Sequence, residues 1–149
     1  MPVAPIRSLV VDDFAPWRHA VRSLLKGHLE FQIVGEAADG LEAVQKAEEL
    51  HPDVILLDIG LPGLNGIEAA KRIHQLVPNT TILFLTLSND ASLVQAALDS
   101  IAKGYVLKVD AGSELWSAIE AVLQGKRYVS SSLVLADRFQ GSVSQILLN

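Results

Sequence analysis

Three aspartates stand where two apolar segments of the chain end. Asp12 and Asp13 follow the run Ile6–Val11, and Asp58 follows the run Val54–Leu57. In a parallel α/β sheet, a ligand site forms at the carboxyl ends of the strands, at the point where the strand order reverses. The three carboxylates are therefore candidates to meet in one crevice. Like charges packed so closely need a cation or a proton to neutralise them.

The composition favours a single folded domain with a short tail. The chain has 149 residues, of which 50% are apolar, and its net charge is −5. Such a chain can bury a sizeable core. Acidic and basic residues are mixed along it, so we predict no direct binding of nucleic acid. The sequence contains no cysteine, which excludes disulfides and thiol catalysis. It shows no charged leader and no long apolar run, so we expect a cytoplasmic protein that does not enter a membrane.

Short apolar runs alternate with amphipathic segments, which predicts five strand–helix units. The runs rich in Val, Ile and Leu that we predict as strands are 6–11, 31–37, 53–57, 80–85 and 104–107. Apolar residues spaced by three and four predict helices over 16–27, 39–50, 65–77, 90–102 and 112–124. Asp39 and Asp90 are predicted helix caps. Strict alternation implies a parallel sheet with helices on both faces and right-handed crossovers.

Four separated motifs resemble the receiver domain of bacterial two-component response regulators. The motifs are Val-Val-Asp-Asp at 10–13, Asp-Ile-Gly-Leu-Pro at 58–62, Leu-Thr at 85–86 and Gly-Tyr-Val-Leu-Lys at 104–108. The similarity covers about residues 6–125. It implies a flavodoxin-like (βα)5 fold with a five-stranded parallel sheet of order 2-1-3-4-5. In that order strands one and three are neighbours, which places Asp12 and Asp13 beside Asp58.

The resemblance implies that Asp58 accepts a phosphoryl group with the help of a metal ion. A carboxylate can attack phosphorus only if the negative charge of both partners is neutralised. Mg²⁺ (or Mn²⁺) suits this task because it prefers hard oxygen ligands. Similar domains suggest that Asp13, Asp58 and the Gly60 carbonyl are direct ligands, whereas Asp12 holds a metal-bound water.

Lys108 and Thr86 complete the site that the resemblance implies. Lys108 supplies a compact positive charge to the phosphoryl oxygens, and Thr86 supplies a hydroxyl donor. In similar domains the threonine moves towards the phosphoryl group, and an aromatic residue on strand five, here Tyr105, rotates inward behind it. The face of helix four, strand five and helix five then changes shape. Alternatively, Tyr105 is a half-buried aromatic residue whose hydroxyl lies in water. The implied phosphoryl donor is a histidine kinase or a phosphotransfer protein.

Two residues depart from the family pattern. Val109 follows Lys108 where similar sequences commonly have a proline with a cis peptide bond, so Lys108 could be oriented differently. Ile101 stands where similar sequences usually place a glycine near the end of helix four. A β-branched residue is a poor occupant of a left-handed helix cap. We therefore expect helix four to end differently or to run longer.

Apolar residues extend beyond the core stripes of helices four and five. In helix four, Leu93 and Ala96 lie beside the stripe, and Trp116 lies at the edge of the stripe of helix five. Generous core packing is one interpretation. The functional interpretation is that this face forms a contact in a homodimer.

Residues 126–149 are predicted to be a linker or tail that follows a receiver domain at 1–125. They include a possible short helix at 133–139, preceded by three serines. The segment resembles the linker that leads to a C-terminal helix-turn-helix domain in one large regulator subfamily. We therefore expect a transcription factor whose effector domain is absent from this chain. The alternative is a stand-alone receiver whose tail packs on helix five or on a partner.

The same residue types also occur in proteins of other functional classes. The paired aspartates can cap a helix, and an aspartate after a strand can simply begin a turn. A haloacid-dehalogenase-type phosphatase would carry the motif Asp-x-Asp. If Asp58 were its first aspartate, the second would be residue 60, which is glycine. An FMN carrier would need a Ser/Thr/Gly-rich phosphate cradle after strand one. A scaffold that acts without phosphorylation is the remaining alternative. We predict a signalling phospho-acceptor rather than a turnover enzyme.

Overall fold

A computed structural model of the protein describes residues 4–133. The strands of this part are β1 (Ile6–Val11), β2 (Phe31–Ala37), β3 (Val54–Leu57), β4 (Thr81–Thr86), β5 (Gly104–Leu107) and β6 (Tyr128–Val129). Its helices are α1 (Ala15–Leu24), α2 (Gly40–Leu50), α3 (Gly66–Leu76), α4 (Ala91–Leu98) and α5 (Ala111–Leu123), and a short 3-10 helix spans Lys108–Asp110. Nearly all of the predicted short helix at 133–139 lies outside the described residues.

All strand pairs in the sheet are parallel, and the strand order is β2-β1-β3-β4-β5-β6. The order of the first five strands confirms the prediction. The sixth strand was not predicted: Tyr128 and Val129 pair with Gly104 and Tyr105 of β5. Two residues are too few to show a strand periodicity. The segment predicted as the start of a linker therefore begins as an edge strand of the sheet.

The sheet separates two apolar clusters because successive strand residues point to opposite faces. On β1, Leu9 and Val11 pack in the cluster that includes α2, α3 and α4, whereas Val10 packs in the cluster that includes α1 and α5. Every residue of β3 and β5 is buried. Strands buried on both faces read as continuous apolar runs, which is the sequence pattern that predicted them. Truncating one such leucine to alanine typically costs about 2–5 kcal/mol.

Side-chain caps define where helices α2 and α4 begin. Asp39 accepts a hydrogen bond from the Glu42 amide, and Asp90 accepts one from the Leu93 amide. Each bond satisfies an amide that has no partner within the helix. Both predicted caps are confirmed.

Helix α4 ends at Leu98, four residues before the predicted end at 102. The guanidinium group of Arg127 donates a hydrogen bond of 2.8 Å to the Leu98 carbonyl, and the Ser100 amide bonds to the Ala97 carbonyl at 3.2 Å. These donors satisfy carbonyls that a longer helix would use. Ile101 packs against the core from the following turn. The expectation of a longer helix was therefore wrong, whereas the expectation of a different ending was right.

Trp116 packs within the chain. Its ring stacks on the His28 ring with centroids 3.9 Å apart and meets the Phe31 ring edge-on at 6.1 Å. These contacts join α5 to the first residue of β2 and to the segment before it. The homodimer contact stays a prediction. In the described residues, no helix has the length and apolar character needed to cross a membrane.

Candidate metal centre

The register of β1 and β3 places the first and third aspartates side by side. Val11 pairs with Leu57, the last residues of the two strands. Beyond the strands, the Asp58 amide donates a hydrogen bond of 3.0 Å to the Val11 carbonyl, and the Asp12 amide donates one of 3.0 Å to the Ala37 carbonyl. The backbone of both aspartates is therefore fixed at the carboxyl edge of the sheet. This geometry confirms the predicted neighbourhood of strands one and three.

Asp12, Asp13 and Asp58 form one cluster of carboxylates. One oxygen from each lies within 4.8 Å of the other two. Asp12 and Asp58 are buried, whereas Asp13 is exposed to solvent. Carboxylate oxygens are the ligands that Mg²⁺ prefers, and Mg²⁺ commonly uses only one or two of them directly. The donor set therefore fits a hard divalent cation, and the exposed Asp13 marks its solvent side.

Both oxygens of Asp12 already have donors. Oδ1 accepts a hydrogen bond of 2.9 Å from the Phe14 amide, and Oδ2 lies 2.5 Å from Nζ of Lys108. Phe14, not either aspartate, occupies the N-cap position of α1, and no side chain caps that helix. The simple explanation of the Asp12–Asp13 pair as a helix cap therefore does not hold.

Lys108 points into the acidic cluster. Its Nζ lies 3.8 Å from Oδ2 of Asp58, and its side chain is only 10% exposed. No cis peptide bond occurs in the described residues, and the next residue, Val109, is largely exposed. The departure from the family pattern at Val109 thus leaves the ammonium group at the edge of the sheet where the carboxylates meet.

The electrostatic balance of the cluster is unfavourable to the ionised form of Asp58. Burial raises the pKa of Asp58, the positive charge of Lys108 opposes this rise, and the nearby Asp12 carboxylate adds to it. The pKa of Asp58 therefore lies above its ordinary value. A single ammonium group does not neutralise three clustered carboxylates, so the site gains from a bound cation.

Glycines shape the loop that follows Asp58. The Gly60 amide lies 3.4 Å from Oδ1 of Asp58. A Cβ atom added at Gly66 would lie 2.1 Å from the Asp58 carbonyl oxygen. Any side chain at position 66 would therefore push the start of α3 away from Asp58. Gly66 is needed for this close backbone approach.

Thr86 and Tyr105 both contact Ser88. Thr86 ends β4 and is buried, and its hydroxyl oxygen lies 3.5 Å from the Ser88 amide. Tyr105 is fully buried, and its hydroxyl donates a hydrogen bond of 2.7 Å to the Ser88 carbonyl. The alternative in which the Tyr105 hydroxyl lies in water does not describe this structure.

One pocket of ≈ 370 Å³ brings the predicted site residues together. It is lined by Asp12, Asp13, Asp58, Gly60, Thr86 and Lys108, together with Phe14, Leu87, Ser88 and Leu93. Tyr105 does not line the pocket, but its hydroxyl bonds to Ser88, which does. The pocket combines clustered carboxylates, one ammonium group and the hydroxyl-bearing residues Thr86 and Ser88, a set suited to binding a cation and an anionic group together.

Comparison with known proteins agrees with this geometry. Residues 8–120 match the response regulator receiver domain. The chain belongs to this family. The crystal structure of a two-component response regulator of the LuxR family from Aurantimonas sp. SI85-9A1 superposes with a TM-score of 0.83 at 35% identity, covering 89% of this chain and 94% of that one. The receiver fold is therefore shared along nearly the whole described chain.

Two curated relatives with a similar segment are longer proteins that carry different names. Transcriptional regulatory protein DegU of Brevibacillus brevis is 36% identical over 83% of this chain and 52% of its own length. Protein-glutamate methylesterase/protein-glutamine glutaminase 1 of Methanosarcina acetivorans is 34% identical over 93% of this chain and 42% of its own length. This receiver chain thus spans about half the length of these relatives. Receiver domains of this family occur in transcriptional regulators and in an enzyme.

Two contacts at the site of this receiver domain were not predicted from the sequence. Ser88 links Thr86 to Tyr105 through its backbone, which no side-chain pattern reveals. The Lys108 ammonium group lies over the ring of Trp17, with Nζ 5.1 Å from the ring centroid. The position of Trp17 in the first turn of the helix after Asp13 was the available signal, because that turn starts at the same edge of the sheet.

Proposed function

We propose that this receiver domain accepts a phosphoryl group on Asp58 from a histidine kinase or a histidine-containing phosphotransfer protein. The observation that carries the proposal is the cluster of three carboxylates within 4.8 Å, with Lys108 placed 2.5 Å from Asp12 and 3.8 Å from Asp58. Such a cluster is costly in the absence of ligands, and its chemistry matches the needs of phosphoryl transfer.

In the proposed site, Asp13, Asp58 and the Gly60 carbonyl would hold Mg²⁺ (or Mn²⁺), and Asp12 would hold a water bound to the metal. The cation, when bound, neutralises the incoming phosphoryl oxygens and the carboxylates that face them. Lys108 remains the protein's own cation in the pocket. Its distance from both Asp12 and Asp58 suits a group that can leave one carboxylate to contact a phosphoryl oxygen.

The proposed reaction is a direct displacement at phosphorus. An oxygen of ionised Asp58 forms the new bond to phosphorus while the bond to the donor's nitrogen breaks, and the electron pair of that bond stays on the donor. Lys108 and the Thr86 hydroxyl stabilise the phosphoryl oxygens. The chain acts as a phospho-acceptor and not as a turnover enzyme.

The proposed output begins at Ser88. A phosphoryl group on Asp58 attracts the Thr86 hydroxyl, and Ser88 connects Thr86 to the hydroxyl of Tyr105. A change at this point reaches the face of α4, β5 and α5. We propose that this face controls a DNA-binding effector, by analogy with the transcriptional relative, and that it can support a homodimer. The cytoplasmic location and the domain division at residue 125 stay predictions.

The proposed function is tested by mass spectrometry after incubation with acetyl phosphate and Mg²⁺. We expect one added phosphoryl group on the wild type and on D99N, which removes an exposed carboxylate on the turn after α4. We expect none on D58N, and none on the wild type when EDTA replaces the metal. Equal labelling of the wild type and D58N would reject Asp58 as the acceptor. An unlabelled wild type would favour a phosphorylation-independent scaffold.

A further inference from the structure

An indole ring lies beside the lysine of the receiver pocket. Nζ of Lys108 lies 5.1 Å from the centroid of the Trp17 ring, inside the range of about 6 Å in which an ammonium group is attracted to an aromatic face. The side chain of Lys108 is only 10% exposed. Because the attraction grows when the cation is removed from water, this contact is stronger than a similar pair on the surface.

The position of Trp17 is fixed by its own element. Its amide donates a hydrogen bond of 3.0 Å to the Phe14 carbonyl in the first turn of α1, and Pro16 precedes it. The ring is partly buried and packs against the apolar cluster that includes α1 and α5. Because the backbone and core packing hold the ring in place, it gives Lys108 a fixed aromatic surface to contact.

The ammonium group of Lys108 has two kinds of partner, carboxylates and an aromatic ring. Asp12 and Asp58 lie 2.5 and 3.8 Å from it, and the centroid of the Trp17 ring lies 5.1 Å away. A lysine has four rotatable side-chain bonds and therefore many conformations to lose when it is held in one place. The ring reduces the number of conformations open to Lys108 without taking any of its hydrogen-bond donors.

We propose that Trp17 is a positioning residue for Lys108. Its indole face holds the ammonium group at the edge of the acidic pocket, ready for an anionic oxygen, and shields it from water. The contact between Trp17 and Lys108 stands on the geometry alone, whereas its effect on phosphoryl transfer rests on the proposed function. The competing hypothesis is that Trp17 serves only the apolar core.

Three substitutions separate these two hypotheses. W17F keeps an aromatic face at position 17, and W17L keeps an apolar side chain there without one. W116F is the matched control, because Trp116 is the other tryptophan and stacks on His28 away from the pocket. All three variants are first compared by chemical denaturation, so that losses of stability are known before the site is measured.

The first measurement does not depend on phosphorylation. In protein with ¹³C-labelled lysine side chains, the ε-methylene signal of Lys108 is assigned by its loss in K108M. We expect this signal to be displaced upfield by the ring current of Trp17 in the wild type and in W116F, and to return to the ordinary lysine position in W17L. A Lys108 signal that is the same in the wild type and in W17L would overturn the proposal.

The second measurement is the labelling rate with acetyl phosphate at saturating Mg²⁺. We expect W17L to lower the rate about threefold to tenfold and W17F to recover most of it. In the K108M background, measured over long incubations, W17L should cause no further loss. An equal loss in both backgrounds would assign Trp17 to the core alone and overturn the proposal. If the wild type takes no label, the proposed function fails, and the lysine signal alone decides for or against the contact.

Discussion

Two groups of acidic residues lie near opposite ends of the 3-10 helix Lys108–Asp110, the first around Lys108 and the second around Asp110, and their environments are opposite. In the candidate metal centre, Asp58 is buried near other carboxylates, and its pKa is raised. In the second group, burial alone would raise the pKa of Asp110, but hydrogen bonds from Ser132 and Ser130 outweigh it, so this pKa is lowered. We call this second group the α5–β6 cluster; its members are Asp110, Glu114, Tyr128, Ser130, Ser131 and Ser132.

The α5–β6 cluster supplies its carboxylates with donors from the chain itself. The Ser132 hydroxyl donates a hydrogen bond of 2.6 Å to Asp110, and the Tyr128 hydroxyl donates one of 2.6 Å to Glu114. The fully buried Ser130 hydroxyl accepts a bond of 3.0 Å from the Leu107 amide. These bonds fasten the segment after α5 to the end of β5, next to Lys108.

The two groups have different roles: the α5–β6 cluster stabilises the fold, whereas the acidic cluster around Asp58 favours the binding of a ligand. The α5–β6 cluster satisfies its charges internally, so it holds the structure and needs no ligand. The metal centre leaves negative charge uncompensated, so folding is less favourable there and a cation or phosphoryl group restores the balance. Four predictions test this contrast.

The largest effect is expected from S130A in the α5–β6 cluster. The substitution leaves the buried Leu107 amide without its acceptor, which costs about 1–3 kcal/mol in the free energy of unfolding. The measurement is urea denaturation followed by circular dichroism. S117A, at an exposed position of α5, is the control and should change stability by less than about 0.5 kcal/mol. Equal stability of S130A and the wild type would show that this cluster does not hold the structure.

The next effect is stabilisation by Mg²⁺, which we expect only through the metal centre. A ligand at ten times its Kd stabilises the folded state by about 1.4 kcal/mol. Thermal denaturation should show this gain for the wild type and equally for S130A. D13N should lose most of it. A gain of the same size in D13N would place the cation elsewhere.

Neutral substitutions should change stability in opposite directions in the two groups. Without a metal ion, D58N removes a destabilised buried charge and should raise the free energy of unfolding by about 1 kcal/mol. D110N weakens the bonds from Ser132, and because the site is partly exposed it should lower that energy by about 0.5–1 kcal/mol. Urea denaturation at neutral pH compares them. Changes of the same sign would remove the contrast on which this interpretation rests.

The smallest effect is the pH dependence of the same two variants. Because the pKa of Asp58 is raised in the folded state from 3.8, its destabilisation appears as the pH rises from about that value through the raised pKa. Because the pKa of Asp110 is lowered from 3.8, its stabilisation is present above that value and is lost as the pH falls through the lowered pKa. The advantage of D58N over the wild type and the disadvantage of D110N, both measured by urea denaturation, should therefore grow with pH. An advantage that shrinks as the pH rises would contradict the raised pKa.

Local sequence patterns predicted the strands, and the family resemblance supplied the strand order that brings the carboxylates together. The buried strands are continuous apolar runs, and the acids follow directly at their ends, so β1, β3 and the cluster at Asp12 and Asp58 followed from these runs together with the family resemblance. The remaining features depend on contacts between distant segments. Arg127 ends α4 by binding the Leu98 carbonyl, and β6 is a strand only because β5 offers it an edge. Neither feature has a periodicity that a sequence can display.

The most direct test of the central claim is to find which residue carries the phosphoryl group. The protein is incubated with acetyl phosphate and Mg²⁺ and treated with borohydride, which reduces an aspartyl phosphate to homoserine. Peptide mass spectrometry then reads the modified position. We predict homoserine at position 58 alone. Homoserine at position 12 or 13, or at no position in a protein that carries the label, would contradict the assignment of Asp58 as the acceptor.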